Sequence, residues 1–121
     1  MNRPAGDETV SPQPVVVSLS TQNNSGVSGM ATLTDMNGST LVKLELAGAP
    51  LGIAQPAHIH TGSCANIGAA VYPLTSALNG ASETTLDASL DTILGQLPLA
   101  LNVHKSAEEI SVYVACGDLA K

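Results

Sequence analysis

Short runs in which apolar and polar residues alternate, separated by turn residues, most restrict what this chain can fold into. A period of two indicates strands with one buried face. Asn37-Gly38 joins two such runs and is typical of a tight hairpin turn. We predict strands at 15–20, 29–34, 40–46, 57–60, 83–89, 99–104 and 110–116, one or two helical turns at 90–94, and an ordered loop at 61–70. This pattern predicts an all-β sandwich or barrel of about seven short strands.

The core of this domain must be aliphatic, because the 121 residues include no Trp, no Phe and two Tyr. Val, Leu, Ile and Ala suit thin, closely packed sheets. Residues 1–13 are rich in Pro, Gly, Asp and Ser without periodicity, so we predict a flexible leader. Residues 14–121 are then one domain, a length that can bury one core.

The charge balance argues against two classes of partner. A net charge of −6 with four basic residues gives no basic patch for nucleic acid or an anionic membrane. No apolar run is long enough to span a bilayer. The first residues are polar and form no signal peptide. We expect that Met1 is an added start residue and that an export signal has been removed ahead of it.

The two cysteines, Cys64 and Cys116, indicate the cellular compartment in which this protein works. A lone pair can form a disulfide, remain as two thiols or ligate a metal. Their spacing is far from a CxxC motif, which favours the disulfide. A disulfide implies an oxidising compartment, so we expect a secreted, periplasmic or cell-surface protein.

All three histidines of the chain, His58, His60 and His104, lie in predicted strands. Residues two apart on a strand share a face, so His58 and His60 can converge on one ion while Ile59 points into the core. His104 shares its strand face with Ala100 and Asn102, away from the apolar positions.

The last predicted strand supplies a neighbour for this site. Its alternation places Tyr113 and Ala115 on one face and Cys116 on the other. Tyr113 is therefore a candidate neighbour of the metal, although a strand tyrosine commonly just covers apolar surface. Lys105, beside His104, is a candidate guide for an anion or simply a solvated turn residue. Residues 106–109 have the spacing of a capping box.

The donor set limits the metal. Three neutral imidazoles suit copper or zinc, and Cu(II) binds such sites more tightly at equal availability. Three protein ligands leave an open position, as in reactive sites. The alternative is that these are ordinary solvated surface histidines.

The segments 57–62, 102–109 and 115–117, together with Cys64, resemble copper–zinc superoxide dismutases. The resemblance runs from about Gly29 to Asp118 and implies a Greek-key β-sandwich or barrel of seven to eight short strands. It implies that His58, His60 and His104 bind one copper ion that cycles between Cu(II) and Cu(I). It also implies an intramolecular disulfide between Cys64 and Cys116.

Three departures separate the chain from that family. No histidine remains for the ligand that bridges copper and zinc, and residues 64–83 contain no His or Asp for a zinc site. The family's active-site arginine falls at Tyr113. The chain therefore resembles the copper-only branch, which implies an oxidoreductase without zinc that dismutates superoxide, a small anion, as a monomer or weak dimer.

Two other functions remain open at this point. The missing arginine favours a non-catalytic periplasmic or surface copper carrier. The stretch from Ala57 to Val71 also resembles the chordin-type (CHRD) repeat, which implies a metal-free structural module.

Overall fold

The computed structural model describes residues 13–121, so nearly all of the leader predicted at 1–13 lies outside the described residues. The described chain forms an all-β domain with one short helix, α1 (Leu90–Leu94). Its eight strands are β1 (Val15–Thr21), β2 (Ser28–Asp35), β3 (Thr40–Ala47), β4 (Gln55–Ser63), β5 (Asn66–Ala77), β6 (Ala81–Leu86), β7 (Leu99–His104) and β8 (Tyr113–Asp118). Between Gln13 and Lys121, the structure contains no helix long and apolar enough to cross a membrane.

The strands form one antiparallel sheet in the order β5-β4-β7-β8-β1-β2-β3-β6, which curls into a nearly closed barrel. The two end strands, β5 and β6, meet at the seam through the turn between them, and the Thr75 amide donates to the Thr84 hydroxyl at 2.8 Å. The pairs β4–β7 and β8–β1 join strands distant in sequence, as in a Greek key. The all-β prediction is confirmed, and β4 and β7 become neighbours.

The core is aliphatic, as the composition requires. Its largest fully buried apolar side chains are Leu33, Val42, Leu44, Ile59, Ile93, Leu99, Leu101 and Val103. Ile59 lies between His58 and His60 in sequence and points the opposite way, because successive strand residues alternate between faces. Burial of Ile59 therefore fixes the histidines on the outer face of the sheet.

Local turn chemistry also matches the sequence. Asn37 and Gly38 have φ angles of 66° and 114°, and the hairpin closes with the Met36 amide donating to the Ser39 carbonyl. The Ser106 hydroxyl accepts from the Glu109 amide at 3.1 Å, which is half of the predicted capping box. The helical turns predicted at 90–94 are present, with Ser89 as the N-cap.

One strand was missed. Residues 61–70 form no separate loop, because β4 continues to Ser63 and the twelve-residue β5 begins at Asn66. The first half of β5 is largely exposed and small, with Gly and Ala, and its pairing with β4 is interrupted by register shifts. Period-two alternation does not develop in such a segment, so the sequence pattern could not indicate it.

The predicted faces of the last strand were wrong for Ala115 and Cys116, whereas Val114 packs in the core as predicted. Strand β8 begins at Tyr113 rather than at residue 110, and a bulge places Val114 as an extra residue between the pairs Val103–Ala115 and His104–Tyr113. Ala115 consequently packs in the core, while Cys116 lies opposite Asn102 on the histidine face.

Candidate metal centre

The register between β4 and β7 brings the three histidines together. His58 lies opposite Asn102 and His60 opposite Ala100, and directly opposed residues of an antiparallel pair share a face. His104 is the last residue of β7, two positions after Asn102. The structure therefore places all three predicted ligand residues on one patch of the outer face.

The imidazole rings converge on one point. The ring centroids lie 5.0 to 5.8 Å apart. His58 Nδ1 is 3.0 Å from His104 Nε2. One ring nitrogen from each histidine lies within 4.8 Å of the other two. Since metal–imidazole bonds are about 2 Å long, nitrogens at these separations can bind a single ion.

Backbone carbonyls orient two of the rings. His60 Nδ1 donates to the Gly68 carbonyl at 3.0 Å, and His104 Nδ1 donates to the Ile110 carbonyl at 2.6 Å. A carbonyl can only accept, so each Nδ1 carries the proton and each Nε2 presents a lone pair to the site. Metal-bound histidines are commonly oriented by such bonds.

The surroundings of His60 Nε2 are evidence that a cation can bind at this point. It is buried and has no hydrogen-bond partner among the described residues. Buried polar atoms are normally satisfied, so an atom left without a partner calls for an explanation. A metal ion bound by His60 Nε2 provides one, and the donor set of three imidazoles is chemically suited to it.

Burial and repulsion between the rings favour the neutral forms of His58 and His104. Desolvation lowers the pKa of His58 below 6.5, with repulsion from His60 as the second cause. Desolvation also lowers the pKa of His104, helped by repulsion from His58 and His60 and opposed by the bond to the Ile110 carbonyl. Neutral imidazoles are the form that binds metals, so these shifts favour metal binding at neutral pH.

Tyr113 contacts the histidine cluster, whereas Lys105 follows His104 in the chain and contacts Glu109. The Tyr113 ring packs edge-on against His104, with 5.3 Å between centroids. Lys105 Nζ pairs with Glu109 Oε1 at 3.2 Å, so a carboxylate already compensates its charge. Both residues line a groove of about 410 Å³, whose lining residues do not include the three histidines.

A disulfide anchors the hairpin that covers His60. Cys64 and Cys116 are bonded, as predicted, and join the β4–β5 turn to β8. The Cys64 amide also donates to Asp118 Oδ1 at 2.7 Å. Gly62 has a φ of 93°, and a Cβ there would meet the Asn66 carbonyl, so the turn needs glycine. This hairpin carries the Gly68 carbonyl that orients His60.

Sequence reasoning missed the residues that support the ligands. The Gly68 and Ile110 carbonyls have no sequence signature, since every residue has a carbonyl. Asn102 was placed on the histidine face but was given no role; it is fully buried between His58 and Cys116. The sequence did contain one signal for Asn102, because it is a polar residue in the otherwise apolar centre of its strand.

Comparison with models of known protein families and with curated proteins finds no match for this chain. The functional assignment therefore depends on the residues of the site.

Proposed function

We propose that this protein binds one copper ion through His58, His60 and His104 and dismutates superoxide to dioxygen and hydrogen peroxide without zinc. The observation that carries the proposal is the convergence of three ring nitrogens within 4.8 Å of one another on the outer face of the barrel. The Cys64–Cys116 disulfide supports placement in an oxidising compartment, as expected for a secreted, periplasmic or cell-surface protein.

The donor atoms favour copper over other ions. The cluster offers nitrogen ligands only, with no thiolate or carboxylate. Among divalent first-row ions, Cu(II) binds a nitrogen site most tightly. Copper bound there would supply the one-electron chemistry, through its cupric and cuprous states.

The chain contributes ligand geometry and an open side. Carbonyls hold His60 and His104 with their Nε2 atoms facing the site, so these two rings need little reorganisation on binding. Three ligands leave room for a small anion. Dismutation consumes two superoxide anions and two protons, and His58 is only partly buried, so its outer ring nitrogen offers a proton route to solvent.

A carrier or buffer without turnover is the second candidate, and the charge around the site favours it. Lys105 is paired with Glu109, Tyr113 brings no charge, and the chain carries a net charge of −6. Anions are steered to a site by positive potential, which these residues do not supply. Tight copper binding with no catalysis is the expected behaviour of this alternative.

Copper titration followed by electron paramagnetic resonance tests the ligand set. The wild-type protein is expected to bind one equivalent with nitrogen hyperfine structure from three imidazoles. His104→Gln is expected to weaken binding at least 100-fold, because it removes one of three ligands. Tyr113→Phe is the matched control: it keeps the ring against His104 and is expected to bind copper normally.

Pulse radiolysis then separates the two candidates. Copper-loaded protein is expected to remove superoxide far faster than the zinc-loaded protein, which has the same ligands and no accessible redox change. Equal rates of superoxide removal by the copper-loaded and zinc-loaded proteins would reject dismutation and favour the carrier function. A failure to bind copper would reject both.

A further inference from the structure

Asn102 has a buried amide that nothing in the described residues satisfies. Its side chain is 0% exposed, and neither Oδ1 nor Nδ2 has a hydrogen-bond partner. Among residues 13–121, it is the one side chain in which both polar atoms of a buried amide lack partners. Such a group destabilises a fold unless a water or ligand satisfies it.

The location of Asn102 relates it to the metal centre. It lies directly opposite His58 on β4, a relationship that brings Cβ atoms within about 5 Å. It precedes His104 by two residues on β7 and so shares its face. It is also the diagonal neighbour of His60, whose direct partner is Ala100, with only a methyl side chain. By strand register, Asn102 is therefore a neighbour of all three ligand residues on the same face of the sheet.

The chemistry of the amide complements a site with an open position. Nδ2 offers two donors and Oδ1 accepts, so Asn102 can donate to an anion or accept from a water. The nearby cation, Lys105, is held by Glu109. The Asn102 amide is a neutral donor on the face of the ligand residues, and it can hold a small anion without a free cationic side chain.

We infer that Asn102 is a positioning residue of the metal centre, whose amide hydrogen-bonds to the water or small anion that completes the coordination of the metal. The inference rests on the proposed copper site and names how its ligand is held. It accounts for an amide that the three-histidine arrangement alone leaves unexplained.

Azide binding to the copper-loaded protein tests this role without relying on turnover. Azide is a small anion, and its affinity is read from charge-transfer absorption during titration. Asn102→Val keeps a strand-forming side chain and removes both polar atoms. We expect full copper binding but azide affinity at least about tenfold weaker, the loss expected for one hydrogen bond to a charged ligand. Asn102→Ala has a smaller side chain that cannot overpack the site. We expect it to show the same full copper binding and the same loss of azide affinity.

Gln55→Leu is the matched control. Gln55 is also buried, at 2% exposed, and its Oε1 lacks a partner, but it lies at the start of β4, three residues before His58. Its replacement is expected to change azide affinity less than twofold. An effect equal to that of Asn102→Val would overturn the inference, because it would reflect a general response to losing a buried amide.

Two further outcomes also overturn it. Unchanged azide affinity in both Asn102 variants would make the residue structural. Tighter azide binding would mean that Oδ1 itself occupies the open position as a ligand. These results are distinct from a failure of the proposed function, because that failure appears earlier, when wild-type protein takes up no copper.

Discussion

His58 Nδ1 and His104 Nε2 face each other at 3.0 Å across β4 and β7. His104 Nδ1 donates to the Ile110 carbonyl, so in the neutral ring Nε2 can only accept. In the neutral metal-free protein, the proton between the rings therefore belongs to His58 Nδ1. A metal ion needs a lone pair at that atom, so the proton and the ion exclude each other.

Metal binding is thus expected to switch the tautomer of His58. Nitrogen-15 spectra should show His58 protonated on Nδ1 in the metal-free protein and on Nε2 after zinc is added as a diamagnetic probe. His60 is the internal control, because its Nδ1 keeps its proton and donates it to the Gly68 carbonyl in both states. A metal-free spectrum with His58 already protonated on Nε2 would contradict the expectation.

The metal-free protein is expected to lose stability in mild acid. The pKa values of His58 and His104 are lowered on folding, so near and below pH 6.5 the unfolded chain binds more protons than the folded one. Their contribution is full above pH 6.5 and is lost as pH falls through the lowered pKa values. Urea unfolding at pH 7.5 and pH 5 measures the difference. His58→Gln should reduce the difference in unfolding free energy between the two pH values. A higher unfolding free energy at pH 5 than at pH 7.5 would contradict this expectation.

Removing the disulfide is expected to affect both stability and metal affinity. Cys64 and Cys116 are 52 residues apart, and closing such a loop contributes up to about 4 kcal/mol on the chain-entropy model. The hairpin it anchors orients His60 through the Gly68 carbonyl, and loss of such support typically weakens metal binding about 10-fold or more. Urea unfolding and copper competition on the Cys64→Ala/Cys116→Ala variant measure the two effects. Unchanged copper affinity would show that the hairpin keeps His60 oriented without the disulfide.

Ile59→Ala is expected to destabilise the domain by about 2–5 kcal/mol, because Ile59 is fully buried beneath the histidine pair. Ile53→Ala is the matched control. Ile53 is 46% exposed, so its replacement should change the unfolding free energy by at most about 0.5 kcal/mol. Urea unfolding compares the two, and similar losses would place Ile59 outside the core.

Glu109→Gln is expected to release Lys105 from its ion pair and raise the superoxide reaction rate of the copper-loaded protein. Lys105→Gln should lower that rate. Both effects should shrink at high salt, because screening weakens steering between exposed charges. Stability should change by no more than about 1 kcal/mol in either variant, since the pair is exposed. Rates insensitive to both changes would remove Lys105 as an anion guide.

The sequence determined the elements that depend on local chemistry. Alternation around Val42 and Leu44 marks a strand with one buried face, and Asn37-Gly38 sets its hairpin. The spacing of His58 and His60 alone puts two imidazoles on one side of a strand, because strand side chains have a period of two. With only two cysteines, an intramolecular disulfide can join only Cys64 and Cys116, but the sequence left open whether that bond forms.

Tertiary structure decided which strands became neighbours and how their registers align. His104 meets His58 because β4 and β7 pair in one particular register, although their nearest ends are 36 residues apart in the chain. A slip of one residue in this register would turn imidazoles toward the core. The bulge at Val114 put Ala115 in the core and Cys116 on the site's face. Such pairings follow from packing the whole barrel, so no local pattern specifies the carbonyls of Gly68 and Ile110 or the buried amide of Asn102.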